Sequence, residues 1–138
     1  MRLGIGLLVL VFICFFVNPA YSENAPDESS IFQLFDDMET AWNAEDAPSY
    51  MNFFHKSVKL KLGKPGNVKY FTWDEYAKVL PERMKKFGPF KMVNPKVLKL
   101  DGESAKAKVI VRKKSRDYTN VFNMIWEDNR WQITSNEW

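Results

Sequence analysis

The sequence is poor in the residues that most often bind metals or form cross-links. Its 138 residues contain one cysteine, Cys14, and one histidine, His55. Since Cys14 falls within a segment that we expect to be removed, the mature chain would have no disulfide, no thiol nucleophile and no zinc site built on cysteine. A single histidine also excludes a histidine-rich metal site. A metal site made of carboxylates alone is the alternative left open, but no calcium-loop spacing is present, and we expect no metal cofactor.

Several catalytic motifs are also absent. The sequence has no G-x-S-x-G nucleophile turn, no phosphate-binding glycine loop, no dinucleotide-binding fingerprint and no acidic calcium loop. Their absence argues against the common hydrolase, kinase and dehydrogenase classes, and we expect no organic cofactor. The formal net charge of +3 is modest, which disfavours a dedicated nucleic-acid binder.

Charged side chains are missing from most of the N-terminal segment. Arg2 is the only one before Glu23, and residues 3–17 form an uncharged, largely apolar run. A short basic start, an apolar run and a small-x-small site, here Ala20 and Ser22, are typical of a secretory signal peptide. We therefore predict cleavage after Ser22 and export, to the periplasm or as a secreted protein.

The alternative is an N-terminal helix that stays uncleaved and anchors the protein to a membrane. A membrane-spanning helix needs about 20 apolar residues, and Pro19 ends this apolar run early. The signal peptide is therefore favoured, which divides the chain into residues 1–22 and a single domain over residues 23–138. A composition of 46% hydrophobic and 27% charged residues suits one globular domain.

Basic residues are absent from the first part of the predicted domain. Residues 23–50 contain eight acids and no lysine or arginine, whereas residues 51–138 contain nineteen basic residues against nine acids. We expect acidic N-terminal helices that pack beside a basic sheet and neutralise much of this imbalance. The alternative is a basic surface that binds an anionic partner.

The spacing of apolar residues predicts helices first. Residues 29–43 carry apolar side chains at helical intervals, and Asp46 is placed to cap a short second helix with His55 at its end. Thr72 and Glu75 form a capping box that begins a third helix. Pro81 is expected to break or kink this third helix.

The rest of the chain predicts strands. Residues 58–62 alternate between apolar and polar side chains, and the C-terminal part contains turn sequences that set a register for a meander. These turns are Asp101-Gly102, a four-residue loop over residues 114–117, and Asp128-Asn129. The facing pairs that follow place small residues opposite large ones on one apolar face: Leu98 with Ala105, Asn94 with Val109, Met92 with Val111, Ala105 with Trp126, Trp126 with Trp131, Met124 with Ile133, and Phe122 with Ser135.

Two local motifs within these elements resemble one known family. The first is Ala41-Trp42-Asn43-Ala44-Glu45-Asp46 followed by Tyr50, and the second is Asn129-Arg130-Trp131-Gln132-Ile133, which closes on Trp138. Residues 29–138 resemble the nuclear-transport-factor-2-like (SnoaL-like) superfamily, as a small exported bacterial member. The resemblance implies an α+β, cone-shaped fold in which N-terminal helices pack on a strongly bent antiparallel sheet and leave a cavity.

The function implied by this resemblance is open, because the superfamily includes binders of hydrophobic small molecules, isomerases, dehydratases and epoxide hydrolases. We expect an exported, non-catalytic domain that binds a small apolar or amphipathic ligand or an envelope protein partner. The alternative is a cofactor-free enzyme of the isomerase, dehydratase or hydrolase type with a general base in its cavity. Phe35 and Met38 occupy inward positions where such enzymes commonly have acidic or tyrosine groups, which favours the non-catalytic function.

Candidate site residues follow from the predicted register. The inner face of the sheet becomes more polar toward one end, as expected for a ligand cavity. The residues expected to line this cavity, with a tyrosine from the second helix, are Asn94, Asn120, Phe122, Ser135 and Tyr50. Glu137 and His55 are the candidates for a catalytic general base, because partial burial of a carboxyl or imidazole group can bring its pKa into the working range.

Two surfaces are candidates for larger partners. A basic run at an expected hairpin tip is able to contact an anionic surface: Arg112, Lys113, Lys114 and Arg116. This run lacks aromatic stacking residues, so a nucleic-acid partner is not expected. The outer face of the sheet carries more apolar residues than a solvated face needs, which predicts a homodimer through Val93, Val97, Ile110, Val121 and Ile125.

Overall fold

The computed structural model describes residues 25–138, so the predicted signal peptide, residues 1–22, lies outside the described residues. The described part has three helices and six strands. Their bounds are α1 Glu28–Asn43, α2 Ala47–Met51, β1 Phe54–Lys64, β2 Asn67–Phe71, α3 Trp73–Phe87, β3 Lys91–Asp101, β4 Ser104–Lys113, β5 Arg116–Glu127 and β6 Arg130–Glu137. No helix in this part is long and apolar enough to cross a membrane.

α1 begins at a capping box. The Asp27 carboxylate accepts a hydrogen bond from the backbone N–H of Ser30 at 2.9 Å, and the Ser30 hydroxyl accepts one from the N–H of Asp27 at 3.2 Å. The predicted apolar stripe is confirmed, because its six members are all buried: Ile31, Leu34, Phe35, Met38, Ala41 and Trp42. This stripe faces the sheet and the other helices.

α2 begins at the predicted cap and is followed directly by a strand. The Asp46 carboxylate accepts from the N–H of Ser49 at 3.2 Å. The prediction that His55 lies at the end of this helix was wrong, because His55 lies in β1. Phe54 is buried and pairs with Ile133 of β6, so tertiary burial draws the chain into the sheet immediately after α2.

α3 begins at the predicted capping box of Thr72 and Glu75 and ends at Gly88, whose φ is 65°. The helix continues through Pro81 to Phe87, so the expected break at the proline does not occur. A proline inside a helix costs about 3 kcal/mol. Leu80 and Met84 are completely or almost completely buried on one face of α3, and their burial outweighs that cost.

The six strands form one sheet in the order β2-β1-β6-β5-β4-β3. β1 and β6 are parallel neighbours, while all the other pairs are antiparallel. The predicted α+β class, with N-terminal helices on a sheet, is confirmed, although the sheet is mixed. The short strand β2 was not predicted, and it joins β1 through a turn in which Gly66 has φ 86°.

The turn between β4 and β5 is shorter than predicted. Lys113 pairs with Arg116, so the turn has two residues instead of four, and Lys114 takes the left-handed conformation with φ 53°. Ala105 consequently faces Met124 and not Trp126. A shift of two residues keeps every side chain on its predicted face, because the period of a strand is two.

The turn between β3 and β4 lies one residue later than predicted. Asp101 pairs with Ser104, and Ala105 faces Leu100 instead of Leu98. Farther along the same hairpin, Met92 faces Val111 as predicted. The two ends of the hairpin therefore have different registers, which requires irregularities between them.

Those irregularities are two bulges in β3. Asn94 lies in the first, with φ 52°, and does not face Val109 as predicted. Val97 then pairs with Ala107 and packs against the core, so its predicted place on the outer face was wrong. One extra residue on one strand moves the following side chains to the opposite face.

A third bulge lies in β6. The predicted pairs of Trp126 with Trp131 and of Met124 with Ile133 are confirmed. Asn123 then pairs with Ser135, so the next residue, Asn136, faces Phe122 in place of Ser135. The side chain of Asn136 is buried.

Asn136 also replaces a missing stretch of strand pairing. Its side chain accepts a hydrogen bond from the N–H of Lys61 at 2.7 Å and donates one to the carbonyl of Lys61 at 2.9 Å. β1 and β6 are joined by few regular pairs, because their register shifts between Phe54 and Lys59. The amide of Asn136 thus satisfies the N–H of Lys61 and gives its carbonyl a second donor beside Nε1 of Trp138, which lies at 3.3 Å.

We predict that Asn136→Ala lowers the free energy of unfolding by about 2 kcal/mol, since it leaves the N–H of Lys61 without a partner and leaves its carbonyl only the 3.3 Å bond from Nε1 of Trp138. The matched control is Asn123→Ala, which removes one half-buried side-chain bond to Ser135 and should cost about 0.5–1 kcal/mol. Urea denaturation at pH 7 measures both. Equal losses in the two variants would contradict this role of Asn136.

Candidate functional site

The structure does not bring the predicted sheet-borne site residues to one cavity mouth. Asn94 is exposed at the bulge of the edge strand β3, and Asn120 is half-buried opposite Val109. Phe122 is buried, with its ring centroid 6.0 Å from that of Phe35. Ser135 pairs with Asn123 and accepts a hydrogen bond from its side chain at 3.0 Å. The bulges in β3 and β6 account for this separation.

Glu137 lies on the outer side of β6. It follows the bulge and pairs with Val121, and its carboxylate is 3.6 Å from Nζ of Lys106. Its side chain is 58% exposed. Glu137 therefore lies apart from the buried Phe122, with which it was expected to share a cavity.

Tyr50 of α2 is buried in an aromatic cluster. Its ring centroid lies 5.3 Å from those of both Trp42 and Phe54, and Phe54 in turn contacts Tyr76. Burial raises the pKa of Tyr50 well above its usual value, and the neighbouring Tyr76 contributes to the rise. Arg83 is close enough that its positive charge offsets part of this effect. Burial likewise raises the pKa of Tyr76 to about 12.

His55 forms a hydrogen-bonded chain with two other side chains. Its Nε2 lies 2.8 Å from Oε2 of Glu127, and its Nδ1 lies 2.6 Å from Oγ of Ser57. The backbone N–H of Ser57 also donates to Nδ1 at 3.1 Å. Nδ1 is therefore the acceptor and Nε2 the protonated nitrogen that donates to Glu127.

A cleft of about 370 Å³ adjoins His55, and we call it the histidine cleft. It lies between the start of β1, the start of α3 and the β5–β6 turn. Lys56 is placed over the ring of Trp73 at 3.1 Å, so this wall combines an aromatic face with a cation. The lining residues are Met51, Asn52, Phe54, His55, Lys56, Trp73, Glu127, Asp128, Arg130 and Gln132.

A second cleft, of about 380 Å³, lies on the other side of the β5–β6 turn, and we call it the tryptophan cleft. Trp126 and Trp131 meet there edge to face, with ring centroids 5.4 Å apart. The start of α1 forms the facing wall. The lining residues are Ser29, Ser30, Gln33, Leu34, Asp37, Phe53, Trp126, Asn129, Arg130 and Trp131.

The side chains of the tryptophan cleft are held by one hydrogen bond between α1 and β6 and by another within α1. Nε1 of Trp131 donates to Oγ of Ser30 at 2.9 Å, and Gln33 donates to the Asp37 carboxylate at 2.9 Å. The facing tryptophans were predicted, but only as the closed end of a cavity. The site was missed because the sequence pattern does not show where α1 crosses the sheet.

The basic run at the β4–β5 turn is not one exposed patch. Arg112 is paired with Asp117 through Nε at 2.8 Å, which lowers the pKa of the Asp117 carboxyl. Lys113 is half-buried and turns toward Trp42 and Phe87. Contact of this run with an anionic surface stays a prediction, with Arg112, Lys114 and Arg116 as its exposed members.

The outer face of the sheet keeps most of its predicted apolar residues. Val93, Ile110, Val121 and Ile125 are half-buried there, whereas Val97 has turned inward. A homodimer through this face stays a prediction, as does an envelope protein partner. Within residues 25–138, no three His, Cys, Asp or Glu side chains come together as a set of metal ligands.

Comparison with protein families matches residues 29–138 to the family described as "putative lumazine-binding". The match covers almost all of the described residues. A comparison with curated proteins finds no match.

Solved structures of distant relatives have the same fold. A nuclear-transport-factor-2-like protein of unknown function from Shewanella oneidensis MR-1 is 22% identical, with a TM-score of 0.62, over 78% of this chain and 94% of that chain. A similar protein from Pseudomonas putida KT2440 is 18% identical, with a TM-score of 0.64, over 80% and 84%. A protein named putative scytalone dehydratase, from Novosphingobium aromaticivorans DSM 12444, is 14% identical, with a TM-score of 0.61, over 79% and 80%. These likenesses confirm the predicted α+β, cone-shaped fold.

The buried tyrosines predict a loss of stability at alkaline pH. The folded protein keeps the proton of Tyr76 up to a pH of about 12, whereas an unfolded tyrosine loses it near pH 10. The free energy of unfolding should therefore fall as pH rises between these values, by roughly 2 kcal/mol for Tyr76.

Urea denaturation between pH 9 and pH 12 tests this. Tyr76→Phe should show a smaller alkaline loss than the natural chain, because phenylalanine has no proton to release. Tyr70→Phe, whose ring is 57% exposed, is the matched control and should leave the alkaline loss unchanged. An identical pH dependence in Tyr76→Phe and the natural chain would show that Tyr76 does not cause it.

Proposed function

The chain belongs to the family described as "putative lumazine-binding", and we propose that it is a non-catalytic domain that binds a small, planar, amphipathic ligand in the tryptophan cleft. The observation that carries this proposal is a cleft of about 380 Å³ with aromatic walls and a polar rim. Small-molecule sites have volumes of roughly 300–1,000 Å³ and combine apolar walls with a few polar groups. Lumazine, a flat heteroaromatic molecule with amide-like edges, has the chemistry that such a cleft suits.

The apolar walls of the cleft supply stacking and contact area. Trp126 and Phe53 are half-buried, so parts of both rings remain open to a ligand, while Leu34 and Trp131 are buried behind them. Aromatic rings stack favourably on planar heterocycles, and they lose little conformational entropy on binding.

The polar groups at the rim of the cleft set the orientation of a bound ligand. Asp37 accepts hydrogen bonds from one side, where it is already held by Gln33. Asn129 and Arg130 lie on the β5–β6 turn and present donors from the other side. A heterocycle with both N–H and C=O groups at its edges can satisfy acceptors and donors together, which a purely apolar ligand cannot.

The test is the binding of lumazine to the full-length chain by isothermal titration calorimetry. Trp126→Ala should weaken binding at least about tenfold, since one lost aromatic contact in a desolvated site costs about 1.4 kcal/mol or more. Asp37→Asn should weaken it less, because the amide still accepts a hydrogen bond. Trp138→Ala, which changes an exposed tryptophan elsewhere on the surface, should bind as the natural chain does. No binding, or equal binding by all three variants, would contradict the proposal.

A second candidate function is supported by the chain of Ser57, His55 and Glu127 beside the histidine cleft. Glu127 orients the imidazole, and Nδ1 of His55 is placed to take the proton of the Ser57 hydroxyl. A nucleophile, a base and an orienting carboxylate in hydrogen-bonded order are the parts of an acyl-transfer site. If the protein is an enzyme, this arrangement favours a cofactor-free hydrolase in which His55 is the general base.

For this second function, p-nitrophenyl acetate serves as the probe ester. If His55 activates Ser57, His55→Gln and Ser57→Ala should each lower the hydrolysis rate at pH 7.5 at least about 100-fold. Glu127→Gln should also lower it, while Ser115→Ala at the exposed β4–β5 turn should leave it unchanged. A rate in Ser57→Ala equal to that of the natural chain would exclude hydrolysis through this group.

A further inference from the structure

Two cations lie together at the end of the domain opposite the tryptophan cleft. Arg83 of α3 and Lys113 of β4 both lie over the ring of Phe87, with Cζ of Arg83 at 4.9 Å and Nζ of Lys113 at 4.5 Å from its centroid. Both side chains are half-buried. One ligand could therefore reach both cationic groups.

The surroundings of these cations are aromatic. Nζ of Lys113 is also 5.3 Å from the ring centroid of Trp42 and 6.0 Å from that of Phe90. Cation–π contacts of this kind stabilise a partly desolvated cation by about 0.5–2 kcal/mol each. They do not supply hydrogen-bond acceptors. The Tyr76 hydroxyl is within hydrogen-bonding reach of the Arg83 guanidinium, but Nε of Arg83 is still without a partner among residues 25–138.

Neither cation has an anionic partner in the part of the chain that the structure describes. Arg83 and Lys113 form no ion pair with any carboxylate of residues 25–138. Nε of Arg83 is buried and has no hydrogen-bond partner within the same range. Burial and the charge of Arg83 together lower the pKa of Lys113, as expected for like charges in a poorly solvated place.

We propose that Arg83 and Lys113 form an anion site that binds the carboxylate of a small aromatic acid. A guanidinium group binds carboxylates through paired hydrogen bonds, and a neighbouring ammonium group adds a third. A bound carboxylate would reduce the repulsion between the two cations and would provide an acceptor for Nε of Arg83.

The aromatic surroundings select the class of anion. Phe87 is only half-buried and provides an apolar surface beside the cations, which the ring of an aromatic acid can cover, while the buried Phe90 packs behind it. Inorganic phosphate has no apolar part to place there, and it is more strongly hydrated than a carboxylate, so its transfer to this site is more costly. The site is independent of the tryptophan cleft, because the two share no residue.

Benzoate is the probe, and the full-length chain at pH 7 and low salt is the protein. Benzoate should raise the melting temperature and bind measurably by calorimetry or NMR titration. Arg83→Met and Lys113→Met should each weaken binding at least about tenfold, because each removes a charge-assisted hydrogen bond. Lys86→Met is the matched control, since Lys86 also lies over Phe87, with Nζ at 5.6 Å, but is exposed. It should change the affinity less than twofold.

Four outcomes would overturn the proposal. They are no binding of benzoate, equal binding by the three variants, tighter binding of phosphate than of benzoate, and a chemical-shift map centred on the tryptophan cleft. If Arg83→Met fails to fold, as judged by circular dichroism, Arg83→Lys and Lys113→Met decide the question. Arg83→Lys keeps the charge but loses the paired donors, so it should bind benzoate more weakly than the natural chain.

Discussion

Burial of the apolar face of α1 against the sheet is the interaction on which both ends of the domain depend. Ile31 is completely buried, and Phe35 packs on Phe122 in the centre of the sheet. A short isolated helix is marginal in water, so this burial holds α1 in place. The helix then carries Ser30 to the tryptophan cleft at its start and Trp42 to the cationic aromatic site at its end. A change in the position of α1 would alter both.

The three bulges in β3 and β6, together with the β5–β6 turn, determine which side chains of the sheet lie around α1. Each bulge adds one residue to a strand, bends the sheet and moves the next side chains to the other face. In β6 this buries Asn136 and exposes Glu137. The turn at Asp128-Asn129, with φ values of 54° and 61°, stands between the tryptophan cleft and the histidine cleft. Arg130 lines both clefts.

Local features of the sequence predicted much of the fold. Three of these predicted features are confirmed: the cap at Asp46, the capping box of Thr72 and Glu75, and the apolar stripe of α1. Each depends on residues only a few positions apart in the chain. The register of the meander was predicted where turns are regular, as for Trp126 with Trp131. It was wrong beyond each bulge, since no local signal shows where a strand accepts an extra residue. The residues predicted for a sheet-borne ligand site lie in other positions than expected for this reason, and their role in binding stays a prediction.

The sequence by itself determined the class of the fold, the starts of the helices and the alternation of faces along the strands, because these follow from contacts between near neighbours and from the period of the backbone. Only the tertiary structure decided which side chains meet. His55 joins Glu127 across 72 residues of chain, and Arg83 and Lys113 converge on Phe87 from a helix and a strand. Such meetings depend on how the sheet bends and on where the helices cross it, and these are set by the packing of the whole core.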